Sequence, residues 1–224
     1  MKQLISATIG AITIFSAAAS AAPVTLKLSN FVGPVSPMQA DFIVPWTKNI
    51  EKCTNGNVKF SLSLRGSQLG NIARQHEQVV SGVVDVAHGL HGIPRGRFPR
   101  SSLLDVPFTA KTSYSASSGL WGIYEKYLKP EYKGMKLLAV HAHSPGHIHT
   151  VKKKVEKLED MAGLRVRAPS AATSMMIKTL GGIPVGLPGS KAYENLQKGV
   201  IDGTVFPWEG ISNYKLDEVL GYHL

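Results

Sequence analysis

The sequence predicts an α/β protein of two similarly built lobes, and two observations carry that expectation. Strand-like and helix-like runs alternate along most of the chain, and one strand–helix–strand signature occurs twice, 117 positions apart. Units of this kind feed parallel strands through right-handed crossovers, so mostly parallel sheets are expected.

The chain has 224 residues, 43% of them hydrophobic and 18% charged, enough to bury a sizeable core and unlike a disordered polymer. Residues 1–21 read as a cleavable export signal. Lys2 stands near the start, an apolar run follows over 4–19, and Ala19-Ser20-Ala21 offers a cleavage site. An uncleaved anchor is the competing reading, but Gly10 and the abrupt polar turn shorten the apolar span below what a bilayer needs. Cys53 is the single cysteine, so no internal disulfide supports the fold even in an oxidising compartment. It reads as a bystander on an amphipathic helix.

Twenty-five Lys and Arg against 15 Asp and Glu give +10, which favours anionic partners. Export counts against nucleic acid. The basic clusters Arg95, Arg97, Arg100 and Lys152, Lys153, Lys154 are short, far apart and without a nucleic-acid motif, so they read as solvated loop charge.

In order, residues 24–30 alternate as a strand, Pro34 and Pro37 break the chain, and 38–51 carry an amphipathic helix. A strand over 58–64, a glycine turn over 66–70, a helix over 71–81 stopped by Gly82 and a short strand over 83–87 complete a βαβ unit. A helix over 113–128 and strands over 135–142, 147–151 and 164–167 follow. The repeated signature places Glu77, Gly82 and Asp85 at the same offsets as Glu194, Gly199 and Asp202, each copy after a strand and a glycine turn (58–66 and 183–189). In each copy a helix ends on a glycine able to turn left-handed, and a buried strand follows.

Open α/β sheets bind ligands at the carboxyl ends of their strands. Those ends bring forward Asn30 and Phe31, the 88–91 run with Leu90 and His91, Arg167 with Ser170, and Phe206 with Trp208. Two lobes facing each other there would enclose one fixed cation, histidines and aromatic walls, a pocket for a small organic anion. His141, His143, His147 and His149 also suit a metal, because alternate strand residues share a face, but no carboxylate or thiol nearby completes a shell. No metal or cofactor is therefore expected. An exported hydrolase is the rival of another class; no nucleophile elbow, phosphate loop or paired catalytic acids support it, and Asp85 and Asp202 read as turn groups.

The export signal, the 66–70 turn, Gly82-Val83-Val84-Asp85, the 158–169 segment and the 193–203 segment, in this order and spacing, resemble the extracytoplasmic solute receptors of tripartite ATP-independent periplasmic (TRAP) transporters. The resemblance runs from about Val24 to the end. It implies the two-lobed periplasmic solute-binding fold, with lobe I over 22–144 and a partial lobe II over 145–224, incomplete at the C-terminus. It also implies a non-enzymatic periplasmic receptor that closes on an organic acid and hands it to a sodium-driven membrane permease. A receptor of the ATP-driven importer class is the nearest alternative. The resemblance places Arg167 where the family pairs an arginine with the ligand carboxylate, a role suited to the guanidinium's two parallel donors. Arg165 should point the same way but lie deeper. His147 stands where sialic-acid-binding members have a second arginine, Phe206 where they have asparagine and Leu90 where they have glutamate. An apolar or aromatic monocarboxylate therefore suits the walls better than a sugar acid, whose hydroxyls would go unpaired.

Overall fold

The computed structural model describes residues 22–224, and the expected export signal lies outside the described residues. Two sheets form. The first has β1 (Val24–Asn30) at its centre, flanked by β2 (Val58–Ser63) and β3 (Val86–His88), all parallel. The second contains β4 (His147–Thr150), β5 (Arg165–Ala168), β6 (Ile183–Gly186), β7 (Gly203–Phe206) and β8 (Tyr222–His223), in the order β6-β5-β7-β4-β8. Here β5 pairs in parallel with β6 and β7, whereas β4 runs antiparallel to both β7 and β8. Half of this sheet thus departs from the expected parallel arrangement.

The helices follow the apolar periodicity with local adjustments. The 38–51 run divides into a π-helical stretch, Met38–Ile43, and α1 (Val44–Cys53) with Pro45 in its first turn. Proline has no N–H to return to the preceding turn, and the wider π stretch absorbs that gap. The 71–81 run becomes a 3₁₀ turn, Ile72–Arg74, and α2 (Gln75–Val80). Thr112 and Ser115 form a reciprocal capping box at the start of α3 (Ser113–Ile123), and Ser170 with Thr173 forms another at α4 (Ala171–Thr179). Two short helices, α5 (Ala192–Gln197) and α6 (Trp208–Asn213), complete the set used below.

The sequence echo is a structural repeat. Gly82 and Gly199 turn left-handed at φ +73 and +67. The N–H groups of Val83 and Val84 both donate to the Gln78 carbonyl, and those of Val200 and Ile201 both donate to the Asn195 carbonyl. The Asp85 carboxylate accepts the Lys27 N–H at 2.8 Å, and the Asp202 carboxylate accepts the Arg165 N–H at 2.9 Å. The ladders then begin one residue on, Leu28 against Val86 and Val166 against Gly203. This is why the strand expected over 83–87 starts only at Val86: the aspartate side chain takes the central strand's N–H first.

Residues 135–142 form no strand. Met135, Leu137 and Val140 pack against Phe98, Leu120, Tyr124, Leu128 and Tyr132, so this apolar run is buried by side-chain packing without a ladder partner. In the second sheet Val166, Ala168 and Val205 pack with Ile177 of α4 on one side. Phe206 packs with Ala192, Leu196, Ile211 and Leu216 in a separate cluster against α5 and α6. Among the described residues no helix is long and apolar enough to cross a membrane.

Candidate ligand site

Successive strand residues point to opposite faces, so Val166 and Ala168 enter the core with α4 while Arg165 and Arg167 share the other face. Their environments differ. Arg165 makes a two-point ion pair with Asp202, Nε to Oδ2 at 2.9 Å and Nη2 to Oδ1 at 2.7 Å, and its side chain is 42% exposed. The expectation that Arg165 lies deeper is therefore reversed, because the repeated aspartate at the start of β7 anchors it at the rim.

Arg167 is 3% exposed. Its Nε donates to the Leu187 carbonyl at 2.9 Å and its Nη1 to the Val205 carbonyl at 3.1 Å, while the guanidinium carbon lies 4.2 Å from the centre of the Phe206 ring. No carboxylate pairs with it among the described residues. Burial pushes its pKa down to about 10; Tyr214 opposes that shift and the charge of Arg95 adds to it. Arg167 thus remains a cation at neutral pH. Removing an ion from water costs several kcal/mol unless it is paired, and two neutral carbonyls and one ring meet only part of that cost. Beside it in register lies Thr204, fully buried, whose hydroxyl has no partner among the described residues.

Contacts from the first sheet's side ring this position. Arg65 Nη1 donates to the Asn213 carbonyl at 2.8 Å and its guanidinium lies 5.0 Å from the centre of the Tyr214 ring, which in turn packs on Phe206 at 5.4 Å. Arg95 Nη2 reaches the Ala168 carbonyl at 3.4 Å. Asp105, its pKa raised by burial against the opposing Ser170 hydrogen bond, meets the start of α4, with Gly92 fitted against both residues. Two surface concavities of about 480 and 300 Å³ lie elsewhere, around residues 124–136 and between Val106 and α4, and neither includes Arg167. Arg65 and Arg95 thus carry first-sheet-side contacts to the strands and helix around Arg167.

The nine residues expected at the site fall into separate groups. Arg167 and Phe206 touch, and Phe206 is 8% exposed, part of the core beneath the guanidinium. Trp208 is half-exposed and packs against His147 and His149, so the two aromatic residues have different surroundings. His147 Nδ1 contacts the Leu224 carbonyl at 2.9 Å. Asn30 is buried, its amide occupied by Gln39, Val32 and His88, and Phe31 stacks on His88 at 4.8 Å. His91 Nε2 lies 2.7 Å from the Tyr132 hydroxyl, Leu90 is half-buried beside it in the chain, and Ser170 caps α4.

Sequence reasoning missed Arg65, Arg95 and Tyr214. The cluster of Arg95, Arg97 and Arg100 is not simply solvated: Arg95 crosses to Ala168, Arg97 Nε donates to His76 at 2.9 Å, and Arg100 Nη1 donates to the Tyr127 carbonyl at 2.7 Å. Basic residues in a Gly/Pro-rich loop carry no periodicity that reports where they point.

The histidines also divide. His88 Nε2 lies 3.2 Å from His141 Nε2, and His149 Nδ1 lies 2.7 Å from His223 Nδ1. Burial, with the neighbouring His141, lowers the His88 pKa to about 4. Among the described residues no three His, Cys, Asp or Glu side chains converge as a metal site requires.

Comparison with known proteins places this geometry. Residues 28–224 match the family model described as bacterial extracellular solute-binding protein, family 7. A marine metagenome TRAP solute-binding protein described as specific for aromatic acid ligands, crystallised with 3-hydroxybenzoate, superposes with a TM-score of 0.86 at 32% identity, over 90% of this chain and 63% of that one. A TRAP solute-binding protein from Rhodoferax ferrireducens, in complex with benzoate, gives a TM-score of 0.84 at 32% identity, over 89% of this chain and 62% of that one. The protein TsaT of Comamonas testosteroni, named an outer membrane transporter protein, is 27% identical over 81% of this chain, which spans 54% of that relative's length. Family and fold are those of receptors rather than enzymes. The chain belongs to family 7 of the bacterial extracellular solute-binding proteins and has the α/β fold of the TRAP solute-binding proteins on which it superposes.

Proposed function

We propose that this protein is a periplasmic receptor that binds a small aromatic monocarboxylate between lobes spanning 22–144 and 145–224 and delivers it unchanged to a sodium-driven TRAP permease. The observation that carries the reading is Arg167, a buried guanidinium with no anionic partner among the described residues. A bound carboxylate supplies the missing charge and accepts the donors that the two carbonyls leave free. The apolar ring under the guanidinium favours an aromatic body over a hydroxylated one. Relatives at 32% identity hold benzoate and 3-hydroxybenzoate, which supports the same class of ligand here. The export signal read in residues 1–21 supports the compartment.

Calorimetric titration of the purified protein with benzoate and with galacturonate tests the reading. Benzoate is expected to bind more tightly, and mass spectrometry of recovered ligand to show no conversion. Tighter binding of galacturonate would overturn the assignment of an apolar pocket.

A further inference from the structure

Arg95 stands opposite Arg167 at one end of the β5–β6 pair. Ala168 and Gly186 are register partners at that end. Arg95 approaches both, with Nη2 3.4 Å from the Ala168 carbonyl and only 2.7 Å from where a Cβ on Gly186 would lie. Arg167 immediately precedes Ala168, and its Nε holds the carbonyl of Leu187, the residue after Gly186. Two guanidiniums, one from β5 and one from the loop after β3, therefore flank the same strand ends. Like charges repel, most strongly where water is scarce, so an arrangement without an intervening anion is unfavourable.

The other arginines of the neighbourhood are engaged. Arg65 holds the Asn213 carbonyl and covers Tyr214, Arg97 bonds His76, and Arg100 bonds the Tyr127 carbonyl. Arg95 has one long hydrogen bond and no ion pair among the described residues. Asp105, the nearby acid in the same loop region, is turned toward Ser170. Glycine at 186 leaves the space that the Arg95 guanidinium occupies.

We infer that Arg95 is a second anion-binding residue, brought from the first lobe, that grips the ligand carboxylate together with Arg167. This rests on the carboxylate reading of Arg167 and adds its consequence: one anion is held by residues from both halves of the chain. Arg95 is exposed where Arg167 is buried and held by two carbonyls.

The test uses benzoate as probe and calorimetry on the purified protein. Arg95→Gln is expected to weaken binding at least tenfold and to flatten the salt dependence of the dissociation constant, because one of two screened charges is gone. Gly186→Ala leaves both charges in place but puts a Cβ where Nη2 sits; it is expected to weaken binding at least threefold. Arg97→Gln, which disturbs only the bond to His76, should stay within twofold. Melting curves of all three variants should overlay that of the unsubstituted protein. An Arg95→Gln affinity within twofold of the parent overturns the inference. So does a loss of affinity with unchanged salt dependence, which would mark Arg95 as a latch on the Ala168 carbonyl only. Failure of the unsubstituted protein to bind benzoate overturns the carboxylate reading itself and this inference with it.

Discussion

The Arg167 guanidinium lies 4.2 Å from the centre of the Phe206 ring, and Tyr214 packs at a tilt between Phe206 and Arg65. A buried cation is thus supported from below by a ring whose own position is set by the second lobe's core. The residues proposed to hold the anion also support the lobe's core, which decides what each substitution should do.

Arg167→Lys is expected to weaken benzoate binding at least tenfold, or about 1.4 kcal/mol, with the fold retained. An ammonium keeps the charge but cannot hold the Leu187 and Val205 carbonyls while offering a planar pair of donors to a carboxylate. Calorimetric titration checks it, and unchanged affinity would remove Arg167 from the site.

Phe206→Ala should cost about 3–5 kcal/mol of unfolding free energy, since it empties a core position under Gly189, Gly210 and Tyr214. Phe206→Leu should cost less than about 2 kcal/mol and still reduce affinity, because the aliphatic side chain packs but has no ring face for the guanidinium. Urea denaturation and titration of the same two proteins separate packing from cation support.

Asp202→Asn is expected to lower stability by about 1 kcal/mol, a figure reduced by the partial exposure of the Arg165 pair. Hydrogen bonding to Arg165 holds the Asp202 carboxyl below its usual range. A depressed carboxyl contributes stability above its unfolded pKa and loses it as pH falls through the folded value, so the loss belongs below about pH 4. Asp85→Asn should give a smaller effect at neutral pH, since Asp85 has the backbone bond to Lys27 but no ion pair among the described residues. Denaturation midpoints across acid pH for both variants test the repeat as a pair.

His88 has the opposite chemistry. Its folded pKa, about 4, lies below the usual 6.5, so between these values the unfolded chain binds more protons and stability rises with pH. The contribution is complete above about pH 6.5 and lost toward pH 4, with an upper size of about 3 kcal/mol. His91, His141 and His149 are lowered by burial too and tilt the profile the same way. His88→Phe, which keeps the stack on Phe31, should flatten the urea midpoint against pH over this window. An unchanged slope would show that His88 is not the group being protonated.

Local order was legible from the sequence because it is written at short range. Period-two and helical runs, the left-handed Gly82 and Gly199 and the two aspartates that follow them describe a repeat that the structure reproduces bond for bond. Its helix-end bonds span only a few residues, within reach of a pattern read along the chain. Residues 135–142 show the limit: an apolar run specifies burial, and only the presence of a neighbouring strand turns it into a ladder.

The sequence by itself determined the α/β class, the doubled unit and Arg167 as the residue to examine. Only the tertiary structure decided that β4 runs antiparallel to β7, that Arg165 is held by Asp202 while Arg167 has no acid, and that Phe206 lies under the guanidinium while Trp208 stays half-exposed. Arg167 takes its carbonyls from 20 and 38 positions away, and the next residue, Ala168, is reached by Arg95 from the loop after β3. Such partners are chosen by how strand ends converge, and no local propensity encodes that convergence.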